Sequence, residues 1–237
     1  VRLQQFLAEL HYLPVTFAPP REKAAKALSD ESTNASLVSY VPRAGSFAPT
    51  YANTPEQLIS LFKPGVWNVL DKSAIISFET VHNLPVDGIP SGRVWGAVAA
   101  AVAARQVDPS PYNYLLVSET LPERLNVWSN GVVVFSTLAN TGAPGAATPV
   151  GTWPVWLRFV STTMAGTNPN GSKYDDPDIP DVSYFYGSDA VHGFVRASYG
   201  FPQSDGCVEL PLAAATTVYR YDPIGTLVTV TTGVLHA

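Results

Sequence analysis

The apolar positions of the chain follow one period up to about residue 105 and another from about Pro111. In "VRLQQFLAEL", Leu3, Phe6, Leu7 and Leu10 recur on one face at helical spacing. "TPEQLISLF" predicts a second helix, with Thr54 as its N-cap, Pro55 in the first turn and Glu56 after it. In "DKSAIISFETVHNL", Ala74, Ile75, Phe78, Val81 and His82 form a stripe. Asp87-Gly88 then makes a turn, and Ser91 is placed to cap a last helix from Gly92 to about Ala104, which carries Val94, Trp95, Val98 and Val102. Between the first two helices, residues 15–51 are rich in proline and read as an insertion with some structure of its own, including a short helix at "REKAAKALSD".

Beyond the "VDPSP" linker the pattern is that of strands. "YNYLLVS", "ERLNVWSNGVVVFSTLA", "WPVWLRFVST" and "TLVTVTTGV" are rich in β-branched and aromatic residues. Asn130-Gly131 between two such runs predicts a tight hairpin. Residues 168–182, "NPNGSKYDDPDIPDV", read as a polar loop, a strand is expected to end at His192-Gly193, and Pro211 opens a short helix. Trp153 and Trp156 are expected to pack in the core, while Met164 either lines a lid or fills a gap.

Composition narrows the function. The chain has 237 residues, 46% of them hydrophobic and only 14% charged, with a net charge of −5, which disfavours nucleic acid as a partner. The longest apolar run, Val94 to Ala104, is too short to span a bilayer, and the first residues read as an amphipathic helix rather than an apolar leader. Asp175, Asp176, Asp178 and Asp181 fit no EF-hand spacing, and the histidines and the one cysteine form no zinc-ligand set, so neither a metal nor another cofactor is expected. The oligomeric state is not legible.

The chemistry rests on Cys207, the single cysteine, which stands in "FPQSDGCVELP". On its own it reads either as a small buried hydrophobe or as a nucleophile. A thiol needs an imidazole or a positive field to become thiolate. Of the four histidines, His11 and His82 fall in the helical half and His236 at the terminus, which leaves His192, 15 residues before the cysteine. Gly206 lets the chain bend tightly before Cys207, so that backbone amides can face a developing oxyanion.

Taken together, "AVHGFVRASYGFPQSDGCVELP" resembles the active-site signature of the L,D-transpeptidase family: a His-Gly, a spacer with a Gly-x-Pro element, then Ser-His-Gly-Cys. "APGAATPVGTWPVW" is similar to that family's Thr-Pro-x-Gly stretch, and the likeness covers about residues 112–232. "SAIISFETVHNLPVDGIPSGRVWGAV", with "VRLQQFLAELHYLPV" before it, resembles the helices of a peptidoglycan-binding-like domain. The resemblance implies two domains: a small all-α peptidoglycan-binding-like domain at 1–106, interrupted by the insertion, and a mostly β transpeptidase-type β-sandwich at 111–232.

It further implies a cell-wall enzyme outside the cytoplasm, with any export signal lying beyond this sequence. Such an enzyme joins peptidoglycan stem peptides through a cysteine acyl-enzyme formed on a stem tetrapeptide, and carbapenems are candidate inhibitors. Carried over residue by residue, Cys207 is the nucleophile, His192 the base and the Gly193 carbonyl the group that orients it. The amides of Asp205, Gly206 and Cys207 form the oxyanion hole. Tyr174, Arg196, Ser204 and Glu209 border the substrate. Two positions depart from the pattern. Asp205 replaces a histidine and is expected to turn away from the sulfur, because a carboxylate facing a thiolate opposes it. Glu209 stands where Arg or Asn is usual, and Arg196 either shares in recognition or pairs with Glu209 or Asp205. These departures keep two alternatives open, a catalytically impaired wall-binding protein and an L,D-carboxypeptidase that uses water as acceptor.

Overall fold

The structure, a computed structural model, describes residues 1–20, 39–168 and 170–235. "REKAAKALSD" and His236 therefore lie outside the described residues. The chain divides into two compact units, Val1–Tyr112 and Asn113–Ala237.

The first unit contains four helices among its described residues: α1 (Arg2–Glu9), α2 (Glu56–Ile59), α3 (Val69–Val81) and α4 (Gly92–Ala103). Leu3, Phe6, Leu7 and Leu10 of the first segment are buried, as are Ala74, Ile75 and Phe78 of α3, but Val81 is half exposed. Ser91 caps α4, its Oγ accepting the Val94 amide at 3.4 Å. Two helix starts differ from expectation. Pro55, not Thr54, is the N-cap of α2, because the Thr54 hydroxyl donates to the Tyr51 carbonyl instead. Asn68 and Asp71 form a capping box on α3. Nor is the unit all-α: β1 (Val15–Ala18) pairs antiparallel with β2 (Ser46–Pro49), so the two ends of the 15–51 stretch zip together. No helix among the described residues is long and apolar enough to cross a membrane.

The second unit is mostly β. One sheet contains β3 (Asn113–Ser118), β4 (Arg124–Ser129), β5 (Val132–Leu138), β6 (Gly151–Pro154) and β11 (Leu227–Thr231), in the order β5-β4-β3-β11-β6. The other contains β7 (Leu157–Thr167), β8 (Lys173–Tyr186), β9 (Asp189–Gly193) and β10 (Val208–Leu210), in the order β10-β9-β8-β7. Leu115, Val117, Leu125 and Val127 of the first sheet share one core with Phe185, Val191, Val208 and Leu210 of the second and with Ala214, Ala215 and Val218 on α5 (Leu212–Val218). Asn130 and Gly131 adopt positive φ (46° and 95°) and close the β4–β5 hairpin.

Residues 168–182 are not a loop. From Lys173 onward they form β8, paired with β7, and of the described residues only 168 and 170–172 lie between the two strands. The prolines and aspartates that suggested a loop are absorbed by a register shift opposite Thr162–Met164 and by positive φ at Asp178 and Asp181 (both 56°). "WPVWLRFVST" in turn divides into β6 and β7, one in each sheet. Trp153 packs on the core, but Trp156 is 48% exposed, contrary to expectation.

Candidate active site

Alternation along two short strands builds the site. Side chains of a strand point to opposite faces in turn. On β9, Val191 enters the core shared by the sheets, which sends Ala190 and His192 to the outer face; on β10, Val208 and Leu210 enter that core and send Glu209 outward with the adjoining Cys207. β9 and β10 run parallel with His192 opposite Glu209, which sets Cys207 two residues back, beside Ala190. Under them lies a second apolar cluster of Ile179, Val182 and Ala190, against which Met164, Tyr184, Phe194 and Cys207 pack. A cavity of about 390 Å³ opens on this face, lined among others by Tyr174, His192, Arg196, Asp205, Cys207 and Glu209. Met164 thus does both things expected of it: it fills the apolar cluster and borders the cavity.

The imidazole is fixed. His192 is only 3% exposed, and its Nδ1 lies 3.0 Å from the Gly193 carbonyl. A carbonyl only accepts, so Nδ1 carries the proton and Nε2 keeps its lone pair. Burial lowers the imidazole pKa, against smaller raising effects of the Gly193 carbonyl, Glu209 and Asp176. The thiol contacts the Ser188 carbonyl at 3.9 Å rather than the imidazole. Its pKa is pushed up to about 12, first by burial and then by Asp189, Glu209 and Asp205, with the Ala190 amide acting in the opposite direction. The resting pair is therefore a neutral thiol and a neutral imidazole.

The turn before Cys207 is held from behind. Ser204 is 1% exposed; its Oγ donates to the Cys207 carbonyl at 2.5 Å and accepts the Gly206 amide at 3.3 Å. Ser204 is thus a turn brace and does not face the cavity, and the Gly206 amide is already engaged, which corrects two sequence expectations. Gly206 has φ +113°, and a Cβ there would come 2.7 Å from Asp189 Oδ1, so both backbone and space require glycine. Thr148, within the Thr-Pro-x-Gly stretch, donates to the Gly206 carbonyl at 2.8 Å and accepts the Gly142 amide. Fully buried Glu123 accepts both the amide and the hydroxyl of Thr141, at 2.7 and 2.8 Å. Next to it, Asn140 exchanges backbone bonds with Glu209 (3.0 and 2.9 Å).

Of the alternatives open for Arg196, the structure shows the pair with Glu209. Arg196 forms a bidentate pair with Glu209, 2.8 and 2.6 Å, with its guanidinium over the Phe194 ring at 4.5 Å. Each satisfies the other, so neither stands free at the cavity wall. Asp205 does not turn away: it is exposed, lines the cavity and adds to the field on the thiol. Asp189, which spacing arguments missed, sits at the start of β9 against Gly206, and burial raises its pKa to about 6. Its only sequence signal is its place three residues before His192. The Tyr174 ring lies over Gly166 on β7, where a Cβ would come 2.5 Å from its hydroxyl, and it senses Cys207 and Asp205.

No curated protein matches the chain. Among solved structures it is similar to L,D-transpeptidase 3 from Mycobacterium tuberculosis in complex with a faropenem-derived adduct (23% identity, TM-score 0.46, over 52% of this chain and 61% of that one). It is also similar to the catalytic domain of an E. faecium L,D-transpeptidase (22% identity, TM-score 0.44, over 52% and 100%). A third, from Stackebrandtia nassauensis, matches at 22% identity with TM-score 0.40, over 72% and 82%. The chain spans less than two thirds of the mycobacterial structures it matches: 61% of the first and 59% of one from Mycobacterium smegmatis. The YkuD family model, the L,D-transpeptidase catalytic domain, matches residues 112–230, half of the chain with Cys207 and His192 inside the match, and the chain belongs to that family.

Proposed function

We propose that the protein is a cell-wall L,D-transpeptidase acting outside the cytoplasm, with Cys207 as nucleophile and His192 as its base. The observation that carries this reading is the common outer face of β9 and β10, where a buried imidazole with a free Nε2 and the only thiol open into one cavity. The Cys207 proton passes to His192 as sulfur attacks the carbonyl of the third residue of a stem tetrapeptide. The carbon–nitrogen bond to the terminal D-residue breaks, and the leaving amine takes the proton from His192. The amine of a second stem then attacks the thioester, giving a 3→3 cross-link and restoring the thiol. The Gly193 carbonyl holds the imidazole in the required tautomer, and the amides of Asp205 and Cys207 are the candidates to face the oxyanion. Carbapenems acylate the same sulfur, and the first unit holds the enzyme on peptidoglycan.

A second reading has its own support: the thiol held protonated mainly by burial, with the Arg196–Glu209 lock beside it, suits a slow site, or one that water resolves as a carboxypeptidase. An assay of tetrapeptide consumption with and without acceptor stem separates these. The proposed reading expects cross-linked product from the wild type and none from Cys207→Ala. Cross-linking that survives in Cys207→Ala overturns it, and tripeptide release unaffected by acceptor favours the carboxypeptidase.

A further inference from the structure

Glu123, directly before β4, is a fully buried carboxylate that the acyl transfer itself does not use, and it stands outside the residues that line the cavity. Burial raises its pKa and the two bonds from Thr141 lower it, and no cation pairs with it among the described residues. A carboxylate in such a place is costly and persists only where its hydrogen bonds offset the lost hydration. Those bonds tie together two stretches distant in sequence. The Glu123 amide donates to the Gly200 carbonyl (2.8 Å), its carbonyl accepts the Ala139 amide (3.0 Å), and its carboxylate accepts the amide and the hydroxyl of Thr141.

Residues 141–143 are in turn what the turn before Cys207 leans on. The Thr141 carbonyl accepts both the Gln203 and the Ser204 amides (2.9 and 3.0 Å), the Ala143 amide donates to the Ser204 carbonyl (2.8 Å), and Gly142 pairs with Ser204. Ser204 then closes on the Cys207 carbonyl. The Thr148 hydroxyl, which bonds the Gly206 carbonyl, is itself held by the Gly142 amide. Both supports of the turn therefore start from 141–143, and Gly206 has no side chain of its own to fix its course.

We propose that Glu123 is a positioning residue for acyl transfer: by gripping Thr141 at two points it sets the turn 203–207 and so aims the amides of Asp205 and Cys207 at the oxyanion. The inference rests on the proposed transfer and adds a residue that acts on it through Thr141 and Ser204 without touching substrate. The physical reason is that a donor stabilises a developing oxyanion only within a narrow distance, about 2.7–3.1 Å, so a small displacement of the turn is felt in the rate. The thiol itself needs no such alignment to react with a reagent that develops no oxyanion.

The test is acylation of Cys207 in the full chain by a stem tetrapeptide at increasing concentration, followed by mass spectrometry, beside alkylation of the same thiol by iodoacetamide. Glu123→Ala is expected to lower the limiting acylation rate about 10- to 100-fold, the scale of a sub-ångström to 1 Å misplacement. The half-saturating peptide concentration and the alkylation rate should each stay within about twofold, since neither depends on the oxyanion. Lost stability alone would reduce the amplitude of acylation and leave its rate constant unchanged. Thr141→Val keeps the backbone bonds and the side-chain shape, removes the hydroxyl, and should show a smaller loss of the same kind; it carries the test where Glu123→Ala does not fold. Glu123→Gln can still accept the Thr141 amide and donate to its hydroxyl oxygen, and should restore the limiting rate to within about threefold of wild type. An unchanged limiting rate in the folded variants, a fall in alkylation as large as that in acylation, or a Glu123→Gln protein as slow as Glu123→Ala overturns the positioning role while leaving wild-type acylation intact. If neither the tetrapeptide nor a carbapenem acylates wild-type Cys207, the transfer reading falls and this inference falls with it.

Discussion

The two faces of the four-stranded sheet contrast sharply although the same strands build them. The inner face presents Val191, Val208, Leu210 and Phe185 to a core shared with the other sheet and with α5. The outer face, one residue out of phase, presents His192, Cys207 and Glu209. Two of its polar groups are held by pairing, the imidazole to the Gly193 carbonyl and Glu209 to Arg196. The contrast teaches that strand alternation alone is enough to place a thiol and an imidazole together, and that the core beneath keeps the register. A slip of β10 by one residue against β9 would turn Cys207 and Glu209 into the core and Val208 and Leu210 out of it, parting the thiol from the imidazole.

The largest effect tests the inner face. Leu210 is fully buried, and Leu210→Ala is expected to destabilise the second unit by about 3 kcal/mol through lost burial and a residual cavity. Urea unfolding checks this, and acylation by the remaining folded protein should be little changed. An unchanged midpoint would mean that the inner face does not fix the sheet. The smaller effect belongs to the outer face. Asp189 is ionised above about pH 6, where its charge disfavours the thiolate. Asp189→Asn should lower the thiol pKa and speed acylation at pH 7.5 by about two- to threefold, the worth of one part-exposed charge reduced by the weaker nucleophilicity of a less basic thiolate. The two proteins should converge as pH falls below about 6, where wild-type Asp189 is itself protonated. A gain that persists at pH 5 would assign the effect to something other than charge.

Much of this arrangement is legible in the sequence because it depends on neighbours along the chain. The Asn130-Gly131 hairpin, the Ser91 cap, the strand ending at His192-Gly193 and the burial of Leu3, Phe6, Leu7 and Leu10 all follow from local periods and local backbone preference. What was not legible depends on partners distant in sequence. β8 looks like a loop until β7 supplies the ladder that its bulge accommodates. Ser204 looks like a ligand group until its hydroxyl closes on the Cys207 carbonyl. Asp189 carries no motif, and its effect appears only when β9 brings it against Gly206. The choice of Arg196 between Glu209 and Asp205 is likewise settled by β10, which holds Glu209 buried at 4% exposure within reach of the guanidinium.

The central claim is that the outer-face thiol carries the acyl group. The most direct measurement is peptide mapping by mass spectrometry after brief incubation of the wild-type protein with a stem tetrapeptide and no acceptor. The account predicts a tripeptidyl thioester on the peptide containing Cys207 and its discharge when an acceptor amine is added. Cross-linked product formed while Cys207 stays unmodified, or an acyl group found on another residue, would contradict it.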